Sequence, residues 1–154
     1  MDSEPKPQAR CVSLLDEFPH QATDTIRFSD LDPQGHVNNA VIATYFESGR
    51  GAMFRGSDLG VGVCGATFVL VHTEISFHRQ LRWPGKVVIG TALARLGRTS
   101  FTLAQSAFKD GACFATGTAT MVLIDKVNGI PLPLPDTITK RLSQWSRQGN
   151  SSHS

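Results

Sequence analysis

A chain of 154 residues, 40% hydrophobic and 18% charged, is about one globular domain's worth and is neither disordered nor fibrous in composition. Its formal charge of +2 comes from scattered Lys and Arg with no basic run, which argues against a nucleic-acid partner. No apolar run approaches the roughly 20 residues of a membrane span, and the opening MDSEPKPQAR lacks the basic-then-apolar order of a signal peptide.

Cys11, Cys64 and Cys113 are odd in number and far apart, so they suggest neither a disulfide framework nor a zinc site. They point to a soluble protein in a reducing, cytoplasmic setting. The ends carry little to bury, and flexible segments are expected at 1–15 and 148–154, flanking one domain over 16–147. A domain of this size buries roughly 70% of the surface of its unfolded chain and needs no metal or cofactor to be stable.

From His20 to Phe28, the residues Thr23, Thr25, Ile26 and Phe28 predict a strand that stops at the turn-rich run SDLDPQG. From Asn38 to about Phe54, Ile42, Phe46, Gly49 and Met53 recur at helical spacing, with Glu47, Arg50 and Arg55 left for polar surroundings. That amphipathic helix would be roughly 25 Å long, about the length of a strand of seven or eight residues. Gly49 and Gly51 each weaken a helix by about 1 kcal/mol relative to Ala, so they suggest a backbone pressed closely against something.

After Gly65 the period becomes two, with Val69, Val71, Thr73, Ile75 and Phe77 expected on one face of a long strand. The alternation returns in Val87, Ile89, Thr91 and Leu93, then in Phe101, Leu103 and Gln105, then from Phe114 to Ile124. Asp110 and Gly111 form a hairpin turn, and no joint is long enough for a parallel crossover. Asp136 to Trp145 predicts a short final helix. The result is an α+β protein, an antiparallel sheet of about five strands wrapped on one long helix. The uncovered sheet face and edges predict a homodimer or homotetramer.

The segment SDLDPQGHVNNA, Ser29 to Ala40, concentrates acids, a histidine and asparagines at a strand-to-helix junction. Capping explains part of it, with Asn38 as N-cap of the helix. Asp32 stands six residues before Asn38, too far to cap that helix. Such a helix start exposes unpaired N–H groups that can stabilise an oxyanion, and a carboxylate beside it can attack the same carbonyl or activate water against it. His20, His36, His72, His78 and His153 show no metal-ligand spacing, and there is no G-x-S-x-G elbow.

The run RFSDLDPQGHVNNAVIATYFESGR resembles the motif of hotdog-fold acyl-CoA thioesterases of the 4-hydroxybenzoyl-CoA thioesterase-like family. Asp30, Asp32, Gly35, His36, Val37, Asn38, Asn39, Tyr45, Glu47 and Arg50 carry the match. The resemblance implies a hotdog fold, hydrolysis of an acyl-CoA, Asp32 as nucleophile or general base, and the backbone N–H near Asn39 as oxyanion donor. It implies that His36 orients water or lines the site, that Asp30 is structural, and that no cofactor is needed. Arg79, Arg82 and Lys86, in the segment His78 to Lys86, and Arg98 in a later loop are candidates for the CoA phosphates.

Other activities share such a fold. Neither Asp30 nor Asp32 stands at the Asp-to-His spacing that hydratases of this fold use. Carrier-protein thioesterases share the Asn-Asn part of the motif, although plant-type members carry two such units per chain and one is read here. An acyl-CoA-binding module without turnover is the alternative of a different class.

Overall fold

The computed structural model describes residues 14–56, 59 and 64–147. The segments expected to be flexible, 1–15 and 148–154, lie outside these residues except for Leu14 and Leu15. In chain order the elements are β1 (His20–Thr25), α1 (Asn39–Gly56), β2 (Ala66–Phe77), β3 (Lys86–Leu96), β4 (Ser100–Lys109), β5 (Ala112–Asp125) and α2 (Asp136–Ser143). The strands form one antiparallel sheet in the order β1-β3-β4-β5-β2. This is the hotdog arrangement, one strand, one long helix, then four strands and a small closing helix. None of the described helices is long and apolar enough to cross a membrane.

The period-two residues Val87, Ile89, Phe101, Leu103 and Gln105 point into the core, where they meet the helix face of Ile42, Tyr45, Phe46, Gly49 and Met53. Burying each large apolar side chain contributes roughly 1.5–3 kcal/mol, so this interface is the main reason the chain folds. The β4–β5 hairpin turns at Asp110 and Gly111, both left-handed at φ 51° and 78°, as a twist-matched two-residue turn requires. On the opposite face, Phe18 covers Gly90 and meets Phe108 edge to face.

Gly49 lets the helix touch the sheet. A Cβ there would stand 2.6 Å from Ile89 Cγ2, closer than carbon atoms approach, whereas one on Gly51 would meet nothing within 4 Å. The expectation of close packing therefore holds at Gly49 and is corrected at Gly51, which faces open space. Next to this contact, Gln105 is buried and its amide Nε2 donates to Phe46 O and to Thr91 Oγ1, both at 3.0 Å.

Three further expectations are corrected. Arg50 does not face polar surroundings: it is buried, and its Nη1 donates to Gln105 Oε1 at 3.0 Å. Val69 does not share a face with Ile75, because the pairing of β2 with β5 slips at Val71, between Leu70 and His72. That bulge turns Phe68 and Leu70 toward the helix ahead of Val71, and Ile75 and Phe77 after it. Cys113 is disulfide-bonded, while Cys64 is free and exposed; spacing along a chain does not show which thiols the fold brings together.

The two glycines make a paired test. Gly49→Ala should destabilise the protein by about 1–3 kcal/mol through overpacking against Ile89. Gly51→Ala should be neutral or stabilising by up to about 1 kcal/mol, because helix propensity acts there alone. Urea unfolding of both variants measures the difference, and a Gly49→Ala protein as stable as wild type would contradict the close packing.

Candidate active site

The turn between β1 and α1 is held at several points by backbone geometry and by Asp30. Asp30 Oδ2 accepts the Arg27 N–H and the Tyr45 hydroxyl, each at 2.8 Å, and Asp30 O accepts the Asn38 N–H at 2.9 Å. Burial, reinforced by the bond to Asp30, holds the Tyr45 hydroxyl above its ordinary pKa, so it stays a proton donor. Asp30 is thus the tie between the turn and the buried face of the helix.

Within this frame Asp32 closes a tight loop. Its N–H donates to His36 O at 2.7 Å and its carbonyl accepts the Gly35 N–H at 3.0 Å. The carboxylate bends back over the same loop, with Oδ1 accepting the N–H groups of Gln34 at 2.8 Å and His36 at 3.1 Å. Among the described residues no donor engages Oδ2. A carboxylate has room for about four hydrogen bonds, so one oxygen is anchored and the other is available.

The start of α1 completes the arrangement. Asn38 is the N-cap, its Oδ1 accepting the Ala40 N–H at 2.9 Å, and its carbonyl accepts the Val41 N–H at 2.9 Å. The N–H of Asn39, at the first helical position, has no acceptor among the described residues. It is one of the donors a helix start leaves over, at the positive end of the helix dipole.

Asp32, His36 and Asn39 line one cleft of about 360 Å³. Ile42 and Phe77 give it apolar wall, and Arg79 and Gln80 also line it. The His36 ring makes no hydrogen bond among the described residues and is half-buried. Phe77, His78, Gln80 and Leu81 were not foreseen as lining residues. They arrive because Leu81 O accepts the Val37 N–H at 2.8 Å, which stitches the segment after β2 onto the turn. Only their place at a strand end hinted at this.

Of the basic candidates, Arg79 lines the cleft, and Arg82 and Lys86 follow it at the same end of the sheet. Arg98 does not join them. It sits in the β3–β4 turn at the other end of β3, roughly 30 Å away at about 3.3 Å per strand residue. Within one protomer that removes it from the cluster, a correction that follows from strand length.

Residues 26–142 match the family model of the thioesterase-like superfamily. The chain belongs to that superfamily. This thioesterase-like protein is similar to a thioesterase from Thermus thermophilus, solved in complex with coenzyme A and Zn. The two are 33% identical over 84% of this chain and 96% of the other, with a TM-score of 0.74. A predicted thioesterase from Bacillus stearothermophilus is 27% identical over 84% and 98% of the two chains, with a TM-score of 0.77. A 1,4-dihydroxy-2-naphthoyl-CoA thioesterase from Synechocystis, 13% identical over 80% and 95% of the chains, shares the fold at a TM-score of 0.72.

Proposed function

We propose that this thioesterase-like protein hydrolyses acyl-CoA thioesters in the cleft at the start of α1, with Asp32 as the catalytic carboxylate. The observation that carries the reading is the pairing, in one cleft, of an anchored carboxylate with a free oxygen and an unengaged helix N–H at Asn39. The coenzyme A held by the Thermus thermophilus thioesterase supports CoA as the carrier of the acyl group.

In this mechanism the thioester carbonyl oxygen accepts the Asn39 N–H, which stabilises the negative charge that develops as the carbonyl carbon becomes tetrahedral. Asp32 Oδ2 either takes the proton of an attacking water or attacks the carbon itself to give an acyl-enzyme anhydride that water then opens. By either route the C–S bond breaks, the CoA sulfur leaves with the electron pair and is protonated, and the acyl group departs as a free acid. A general base contributes about 10²- to 10⁴-fold and an oxyanion donor about 10²- to 10³-fold, so two groups and good positioning suffice. His36, with an unengaged ring beside Asp32, orients the water.

The CoA phosphates are assigned to Arg79, Arg82 and Lys86, which share the Asp32 end of the sheet. The protein is further proposed to act as a homodimer or higher homo-oligomer. The edge strand β2 has 12 residues, with Val71 56% exposed, a long edge that a second copy can pair with and cover.

Asp32→Asn should lower kcat/KM on the order of 10³-fold in a thiol-release assay across short, long and aromatic acyl-CoAs. The fold should be unchanged, because Asn keeps the oxygen that accepts the Gln34 and His36 N–H groups. Near wild-type turnover by the variant would remove Asp32 from the chemistry, and acyl-CoA binding without turnover by wild type would favour a binding module. Replacing Arg79 and Arg82 together by Ala should raise KM several-fold for acyl-CoA but not for a short thioester lacking the nucleotide. An equal rise for both would sink the phosphate assignment.

A further inference from the structure

A second cavity, of about 370 Å³, lies on the other half of α1, between the helix and the start of β2. Its walls are mostly apolar, with Phe54, Phe68, Leu70 and Met121, and Gly51 leaves it room where a side chain would intrude. One group is out of character. Arg50 opens onto this cavity although the residue is only 7% exposed.

The guanidinium carries five N–H donors, and the bond from Nη1 to Gln105 Oε1 is its one hydrogen bond among the described residues. No carboxylate of the described residues comes within salt-bridge distance of it. Gln105 is itself fixed by its bonds to Phe46 O and Thr91 Oγ1, so the anchor that aims Arg50 is rigid. Among the described buried side-chain atoms, only His20 Nδ1 is both sealed from solvent and unpaired. Nε and Nη2 of Arg50 are therefore not sealed from solvent, and the cavity that Arg50 lines is the space beside it. Burial pushes the guanidinium below its ordinary pKa, with Glu47 offsetting part of this.

We propose that this cavity is a binding site for an apolar ligand ending in a carboxylate, which the free fork of Arg50 receives. A planar guanidinium matches a carboxylate with paired, charge-assisted bonds, and the apolar walls take the ligand's body. Glu47, on the rim and exposed, weakens the site for an anion without occupying the fork. Two sources share this chemistry: a carboxylate at the far end of the acyl group, or a free carboxylic acid that binds on its own. Arg50 is eleven residues beyond Asn39 on α1, about 16 Å along the helix, so within one protomer only a long acyl group spans both sites. The acyl-group source rests on the thioesterase reading above, and the free-acid source does not.

Calorimetric titration of the wild-type protein with octanoate and 4-ethylbenzoate, each against its primary amide, tests the site without turnover. The carboxylates should bind about tenfold more tightly than the amides, a charge-assisted bond's worth. Arg50→Gln should erase that preference, Arg50→Lys should keep part of it, and Glu47→Gln should enlarge it. In parallel, dicarboxylic mono-CoA thioesters of increasing length are compared with their monocarboxylic counterparts as substrates. A preference for the dicarboxylic series that depends on Arg50 identifies the acyl group as the source, and a preference confined to the titration identifies the free acid. Carboxylates no tighter than their amides, or a preference that survives in Arg50→Gln, would overturn the proposal. Should Arg50→Gln fail to fold, the wild-type comparison and Glu47→Gln decide it.

Discussion

The contact between Gly49 of α1 and Ile89 of β3 sets where the helix lies, and most of the molecule's chemistry depends on that position. With no Cβ at Gly49 the helix backbone settles on the sheet, close enough for the Gln105 amide of β4 to reach the carbonyl of Phe46. A helix held at its middle has both ends placed. Its first turn projects beside the end of β2, and its later turns stand off the start of the same strand, so each half borders one cavity.

In the turn before the helix, the two carboxylate oxygens of one side chain are engaged differently. Asp32 is bland by one oxygen, which satisfies two backbone N–H groups as turn-forming Asp residues commonly do. The other oxygen is left out of that arrangement, in the same cleft as the free Asn39 N–H. Asp30, two residues earlier, is engaged differently: its carboxylate is spent on Arg27 and Tyr45. Two acids in one short motif therefore divide the work, one tying the turn to the helix and one facing the cleft.

Much of this was legible in the sequence because it rests on local rules. Strand periodicity in β3, β4 and β5, the Asp110–Gly111 hairpin and the Asn38 cap all follow from residue type and spacing, and the structure places them so. What was not legible depends on contacts between distant segments. The bulge at Val71 arises from how β2 meets β5, and no residue near it announces a slip. Arg50 reads as a surface cation until Gln105, fifty-five residues away, supplies its partner. Arg98 belonged by composition to the basic cluster, and only the length of β3 separates them. The cleft residues Phe77 to Leu81 joined the site through a backbone bond to Val37 that sequence does not encode visibly.

The most direct measurement is a crystal structure with a non-hydrolysable acyl-CoA analogue whose thioester is replaced by a ketone. The carbonyl oxygen should lie about 3 Å from the Asn39 nitrogen, with Asp32 Oδ2 or a water it holds roughly 3–3.5 Å from the carbonyl carbon. A carbonyl bound away from the start of α1, leaving Asp32 Oδ2 with no contact to it, would contradict the account.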